Sequence, residues 1–169
     1  FPGDCLHEPG SILSAAGEPL RVFTPFWRAC LKKGESAAPI ATPRQWLSWA
    51  GRVQTDQLQE WRLRPSSPDW AGGLAECWQP GEGFAASALE RLVDFRLEGY
   101  GRNRDRADLD GTSRLSPHLH FGEISPRQLW QAVYSMLAGS PRLSTDGEAF
   151  LRQLAVDAHE IRTELLPVF

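Results

Sequence analysis

From residue 84 onward, apolar side chains recur at helical spacing. Ala88, Leu89, Leu92, Phe95 and Gly99 share one face, and Glu90, Asp94 and Glu98 another, which predicts a helix over 84–100. A second apolar stripe, Leu129, Val133, Met136 and Leu137, follows Ser125-Pro126. There a hydroxyl N-cap precedes a proline at the first helical position, and Ser125 with Gln128 fits a capping box. Gly139-Ser140-Pro141 closes that helix. Phe150, Leu151, Leu154, Ala158, Ile161 and Leu165 predict a last helix over about 146–166. Ser116-Pro117 repeats the cap-and-proline device. Near the start, Thr24-Pro25 predicts a helix over 25–33 with Thr24 as N-cap and Gly34 as its stop. A turn at Gly17-Glu18-Pro19 and a short extended piece over 20–23 lead into it. No alternating stretch long enough for a strand follows residue 23. The fold class predicted is mostly α, with long irregular connections.

Two stretches break the periodicity. Residues 35–83 are cut by Pro39, Pro43, Pro65, Pro68 and Pro80, and carry Trp46, Trp49, Trp61, Trp70 and Trp78. A structureless loop of that length is unusual in a compact domain, so the tryptophans are expected to pin an irregular strap onto a neighbouring surface. Residues 101–110, with Arg102, Arg104 and Arg106 set among Asp105, Asp108 and Asp110, read as a charged loop.

Composition narrows the function classes. The 169 residues are 41% hydrophobic and 23% charged, a globular composition large enough for one domain with its own core. Apolar runs are only a few residues long, so no membrane partner is expected. No basic-then-apolar leader is visible, and a first residue of Phe1 leads us to expect a piece of a longer protein. Three cysteines without a C-x-x-C argue against a zinc site or a disulfide framework, and favour a reducing, cytoplasmic setting. Eighteen basic against 21 acidic residues give net charge −3, which argues against nucleic-acid binding by bulk charge and leaves room for a local basic groove. The seven tryptophans suit core filling, the usual role of large aromatics, and also stacking surfaces, and composition alone does not choose between them.

The candidate chemistry sits at Gly111-Thr112-Ser113-Arg114-Leu115-Ser116-Pro117. Thr112, Ser113 and Ser116 place three hydroxyls beside a helix start, whose first amides lack internal partners. Free N–H groups, a favourable dipole and hydroxyl donors suit a phosphate or pyrophosphate. The same hydroxyls also serve as plain helix caps. His118 and His120 stand two apart and face different sides of a helix, so no metal site is read from them. Neither G-x-x-x-x-G-K-[ST] nor G-x-G-x-x-G occurs, and no Ser–His–Asp constellation is arguable.

Extended to Gly111-Thr112-Ser113-Arg114-Leu115-Ser116-Pro117-His118-Leu119-His120-Phe121-Gly122-Glu123-Ile124-Ser125-Pro126, this stretch resembles the flavin-binding signature of the DNA photolyase/cryptochrome family. Tyr100-Gly101-Arg102-Asn103-Arg104-Asp105 is similar to that family's Tyr-x-x-x-Arg-Asp, with Tyr100 twelve residues before Thr112 as the family has it. Arg21-Val22-Phe23-Thr24-Pro25-Phe26-Trp27 resembles the opening of the family's helical domain, and Phe150-Leu151-Arg152-Gln153-Leu154 resembles a later helix. The bacterial cyclobutane pyrimidine dimer photolyases look most alike. The likeness stops after Ala155, where the family reads Trp-Arg-Glu and this chain has Val156-Asp157-Ala158.

The resemblance implies a partial helical FAD-binding domain of the photolyase type. Residues 1–22 would be the end of an antenna α/β domain and its connection, and 23–169 the N-terminal part of the helical domain, divergent after 155. A truncated or frame-shifted gene would account for that divergence and for the end at Phe169. Tyr100, Thr112, Ser113, Arg114, Leu115, Ser116 and Phe150 would contact FAD. Arg104 would meet DNA phosphate, and Gln153 the damaged pyrimidines. The activity implied is light-dependent repair by a deoxyribodipyrimidine photolyase, a carbon–carbon lyase, in which reduced FAD passes an electron to a flipped-out dimer. No catalytic side chain is required. An antenna chromophore would belong to the domain before residue 1. Ultraviolet-damaged DNA is the implied partner, and a monomer is expected. The isolated chain is expected to bind FAD weakly or not at all and to repair nothing. The alternatives are a cryptochrome-type blue-light receptor and a non-catalytic helical interaction module.

Overall fold

The computed structural model describes residues 5–8, 10–34, 40–41, 43–45, 47, 51–64 and 67–165, with side chains to Val156. It divides into two compact units, Phe1–Pro39 with Pro80–Phe169, and Ile40–Gln79. The fold is mostly α. The described residues form no named strand, only an isolated bridge between Leu13 and Pro19 across the Gly17 turn.

The larger unit holds α1 (Phe23–Lys33), α3 (Glu82–Arg91), α4 (Tyr100–Asn103), α5 (Ser116–His120), α6 (Pro126–Gly139) and α7 (Ser144–Leu165). Its core gathers Phe26, Trp27 and Cys30 of α1, Leu129, Trp130 and Val133 of α6, and Phe150, Leu151, Leu154 and Ala155 of α7. Trp27 and Trp130 meet edge to face at 6.0 Å. Gly147 lets α7 close on α6, because a Cβ there would stand 2.5 Å from Leu137 Cδ2. The segment before α1 is held by Arg127, which donates from Nε to the Cys5 carbonyl at 3.1 Å and pairs with Glu8 at 2.9 Å.

Ser125 caps α6 as the sequence predicts, accepting from the Gln128 amide at 3.2 Å while Gln128 Oε1 accepts from the Ser125 amide at 2.8 Å. Three other expectations need correction. First, α1 begins at Phe23 with Val22 as its cap residue, so Thr24 lies inside the helix and makes no cap bond. Gly34, at φ 77°, does close it. Second, the predicted helix over 84–100 is not continuous. After Arg91 it widens into a π turn, Leu92–Arg96, where the Leu97 amide reaches the Leu92 carbonyl at 2.8 Å. The extra residue shifts the register, so Leu97 is buried and Phe95 is left 77% exposed. Gly99, at φ 78°, ends this stretch, and part of the expected charged loop is the single turn α4. Third, α7 starts at Ser144, ahead of Asp146. The predicted positions Ala158, Ile161 and Leu165 lie beyond the described side chains.

In the smaller unit a 3₁₀ turn, Leu58–Trp61, and α2 (Gly72–Cys77) are set among irregular described residues. Trp61, Trp70 and Trp78 are exposed, so these three do not pin a strap by burial. Trp46 and Trp49 lie outside the described residues.

Candidate functional site

The hydroxyl-rich turn begins where Gly111 lies against α4. A Cβ at Gly111 would come 2.5 Å from the Asn103 carbonyl oxygen, so only glycine lets the two backbones approach this closely. Asp110 accepts from both Arg96 and Arg114, the latter at 3.0 Å, and Arg96 also reaches the Thr112 carbonyl at 3.4 Å. Arg114 takes the left-handed conformation, φ 56°, uncommon for a residue with a side chain. The chain thereby turns Leu115 into the core, 1% exposed, and keeps Thr112, Arg114 and Ser116 outside.

Ser116 is the first residue of α5 and Leu115 the cap residue, without a side-chain cap bond. The expected Ser116 cap is therefore not formed. Ser113 Oγ accepts from the Leu115 amide at 3.4 Å. Among the described residues, the amides of Thr112, Ser113 and Ser116 and the hydroxyls of Thr112 and Ser116 make no hydrogen bond. The turn thus holds several donors without a protein partner among the described residues, on a stretch where Thr112, Arg114 and Ser116 are exposed.

A cleft of about 540 Å³ opens beside it, with Arg104, Asp108, Asp110, Thr112 and Arg114 among its walls. Arg106 and Asp108 neutralise each other through a two-point pair, 3.0 and 2.5 Å. The Arg106 guanidinium holds the Asp108 carboxyl below its usual range, and the carboxylate raises Arg106 in turn. Arg106 is therefore committed within its own loop.

Arg104 also lines a second cleft of about 590 Å³, with Phe23, Glu148, Arg152, Gln153 and Val156. Arg104 Nη1 donates to Gln153 Oε1 at 2.8 Å. One turn earlier on each helix, the Tyr100 and Phe150 rings pack edge to face at 5.4 Å, 5% and 4% exposed. The two pairs form a ladder that joins α4 to α7, apolar below and polar at the rim. Asp146 fixes the ladder's base, accepting from the Gly99 amide at 2.8 Å and the Gly101 amide at 2.9 Å. The structure thus brings Tyr100 to Phe150 and Arg104 to Gln153, sets Arg104 between the two clefts, and leaves Thr112, Ser113, Arg114, Leu115 and Ser116 together on the turn.

The Asp146 clamp and the pairing of buried His118 with half-buried Glu123 were not legible in advance. His118 Nδ1 lies 2.5 Å from Glu123 Oε2, and Glu123 Oε1 accepts from the Gly81 amide at 2.7 Å. The hydrogen bond to His118 holds the Glu123 carboxyl below its usual range, helped by the one it accepts from the Gly81 amide. A spacing of five across a helix end has no periodic signal. No group of His, Cys, Asp and Glu among the described residues could hold a metal ion.

No family model matches the chain. The deoxyribodipyrimidine photo-lyase of Agrobacterium fabrum is 41% identical over 133 residues, 79% of this chain and 28% of that protein. Cryptochrome-1 of Arabidopsis thaliana is 33% identical over 135 residues, 79% of this chain and 20% of that protein. The crystal structure of a bacterial class III photolyase from Agrobacterium tumefaciens matches with TM-score 0.84 at 36% identity, over 95% of this chain and 34% of that one. The chain belongs to the photolyase/cryptochrome family. It spans about a third or less of the length of these photolyase/cryptochrome relatives. No helix among the described residues is long and apolar enough to cross a membrane.

Proposed function

We propose that this chain is the N-terminal part of the FAD-binding helical domain of a light-dependent DNA repair enzyme that splits cyclobutane pyrimidine dimers. On this reading residues 23–169 belong to that domain, the enzyme works in the cytoplasm, and it acts on ultraviolet-damaged DNA as a monomer. The observation that carries it is the set of unpartnered donors on the turn 112–116, lying in a stretch shared with photolyases. Its open amides and its Thr112 and Ser116 hydroxyls fit the diphosphate of FAD, with the Arg114 cation beside them. Reduced FAD, when bound, supplies the photochemical electron for breaking the dimer's carbon–carbon bonds. The chain's own residues bind and orient. Arg104 offers its charge to a DNA phosphate, and Gln153 offers amide hydrogen bonds to pyrimidine edges. Tyr100 and Phe150, packed edge to face behind them, would lie against FAD. An antenna chromophore would be held elsewhere in the enzyme.

A second reading, a cryptochrome-type blue-light receptor, is favoured by the 33% identity to cryptochrome-1 over the same share of the chain. One chimera separates the two. Residues 23–155 of this chain would replace their counterpart in the Agrobacterium class III photolyase, and the product would be assayed for bound flavin and for blue-light repair of a dimer-bearing oligonucleotide. The repair reading expects both. Flavin without repair would select the receptor reading, and a folded chimera without flavin would contradict the FAD assignment.

A further inference from the structure

His118 is 8% exposed at its side chain, and its ring is held by one acceptor, Glu123 Oε2, at Nδ1. The Glu123 amide donates back to the His118 carbonyl at 2.8 Å, so the two residues are tied twice. The other carboxylate oxygen is spent on the Gly81 amide, ahead of α3. Gly81 contributes no charge. Glu82 and His120, the nearest other ionisable residues in sequence, are both exposed. The groups acting on the Glu123 carboxylate are therefore His118 and one backbone N–H. At its far side, His118 Nε2 makes no protein hydrogen bond among the described residues, yet is not sealed from solvent.

From this geometry we propose that Glu123 and His118 form an oriented dyad outside the hydroxyl turn. Glu123 keeps a proton on Nδ1 and leaves Nε2 as a proton-binding atom of fixed direction. A carboxylate acceptor selects the Nδ1–H tautomer, because a lone pair on Nδ1 would face negative charge at hydrogen-bond distance. Protonation of the ring then changes Nε2 alone, from acceptor to cationic donor. The bond to Glu123 persists in both states, and so does the bond from the Gly81 amide to Glu123. Glu123 is the positioning residue, and it acts through His118.

The test is nitrogen-15 NMR of the imidazoles in the full chain across a pH titration, together with amide hydrogen exchange at Gly81. At alkaline pH the dyad requires His118 with Nδ1 protonated and Nε2 bare. As pH falls only Nε2 gains a proton, and Gly81 protection is unchanged through that step. In Glu123→Gln the amide oxygen still accepts from Gly81 while the amide nitrogen donates to the ring, so the proton must move to Nε2. A merely structural contact would not reverse the tautomer. An Nε2–H tautomer in the unsubstituted chain would overturn the proposal. So would loss of Gly81 protection as the ring protonates, or an unreversed tautomer in folded Glu123→Gln. If that variant does not fold, the unsubstituted spectra decide alone.

Discussion

At the scale of single residues, two positions bear constraints that a change of one group exposes. Gly111 has no room for a Cβ against the Asn103 carbonyl. Gly111→Ala should cost about 1–3 kcal/mol by overpacking, read from urea denaturation, and should displace the turn from α4. Glu123 sets a pH dependence. Its carboxyl is held below the usual range in the folded chain, so its contribution is fully present above the unfolded value and is lost as pH falls through the lowered folded one. Stability measured against pH should therefore decline in acid, and Glu123→Gln should flatten that decline. An identical acid profile for the two chains would contradict the assignment. The turn stands out in the sequence because the types and order of its residues suit an anion. Glu123 and Asp146 were not, since each acts on groups that only the fold brings near.

At the scale of elements, caps and junctions decide the outcome. The Ser125–Gln128 box was readable because its partners are three residues apart and precede a clear apolar stripe. Ser125→Ala should lower stability by about 1 kcal/mol, measured by the same denaturation. The π turn was not readable. Phe95 matches the apolar face of an ideal helix, and the widened turn that ejects it answers to the burial of Leu97 and to the left-handed Gly99. Local spacing cannot foresee a tertiary choice between two apolar residues. Asp146 of α7 ties down the start of the one-turn α4, accepting from the amides of its cap residue Gly99 and of Gly101. Asp146→Ala should cost roughly 1–3 kcal/mol and raise hydrogen exchange at Gly99 and Gly101 before it does so in α6.

At the scale of the whole molecule, the mostly α class followed from helical periodicity and from the lack of alternation after residue 23. The separation of Ile40–Gln79 as its own unit did not, because proline-rich sequence with scattered tryptophans fits either a pinned strap or an independent one. What joins the scales is the turn 112–116, held from behind by α4, the Arg96–Asp110–Arg114 group and the buried Leu115, and open in front. The most direct test is an amide NMR titration of the chain with FAD. The diphosphate reading predicts weak binding whose largest shifts fall on Thr112, Ser113, Arg114 and Ser116, and which Thr112→Ala with Ser116→Ala weakens severalfold while the fold persists. Shifts centred elsewhere, or binding that the folded double variant leaves unchanged, would contradict it.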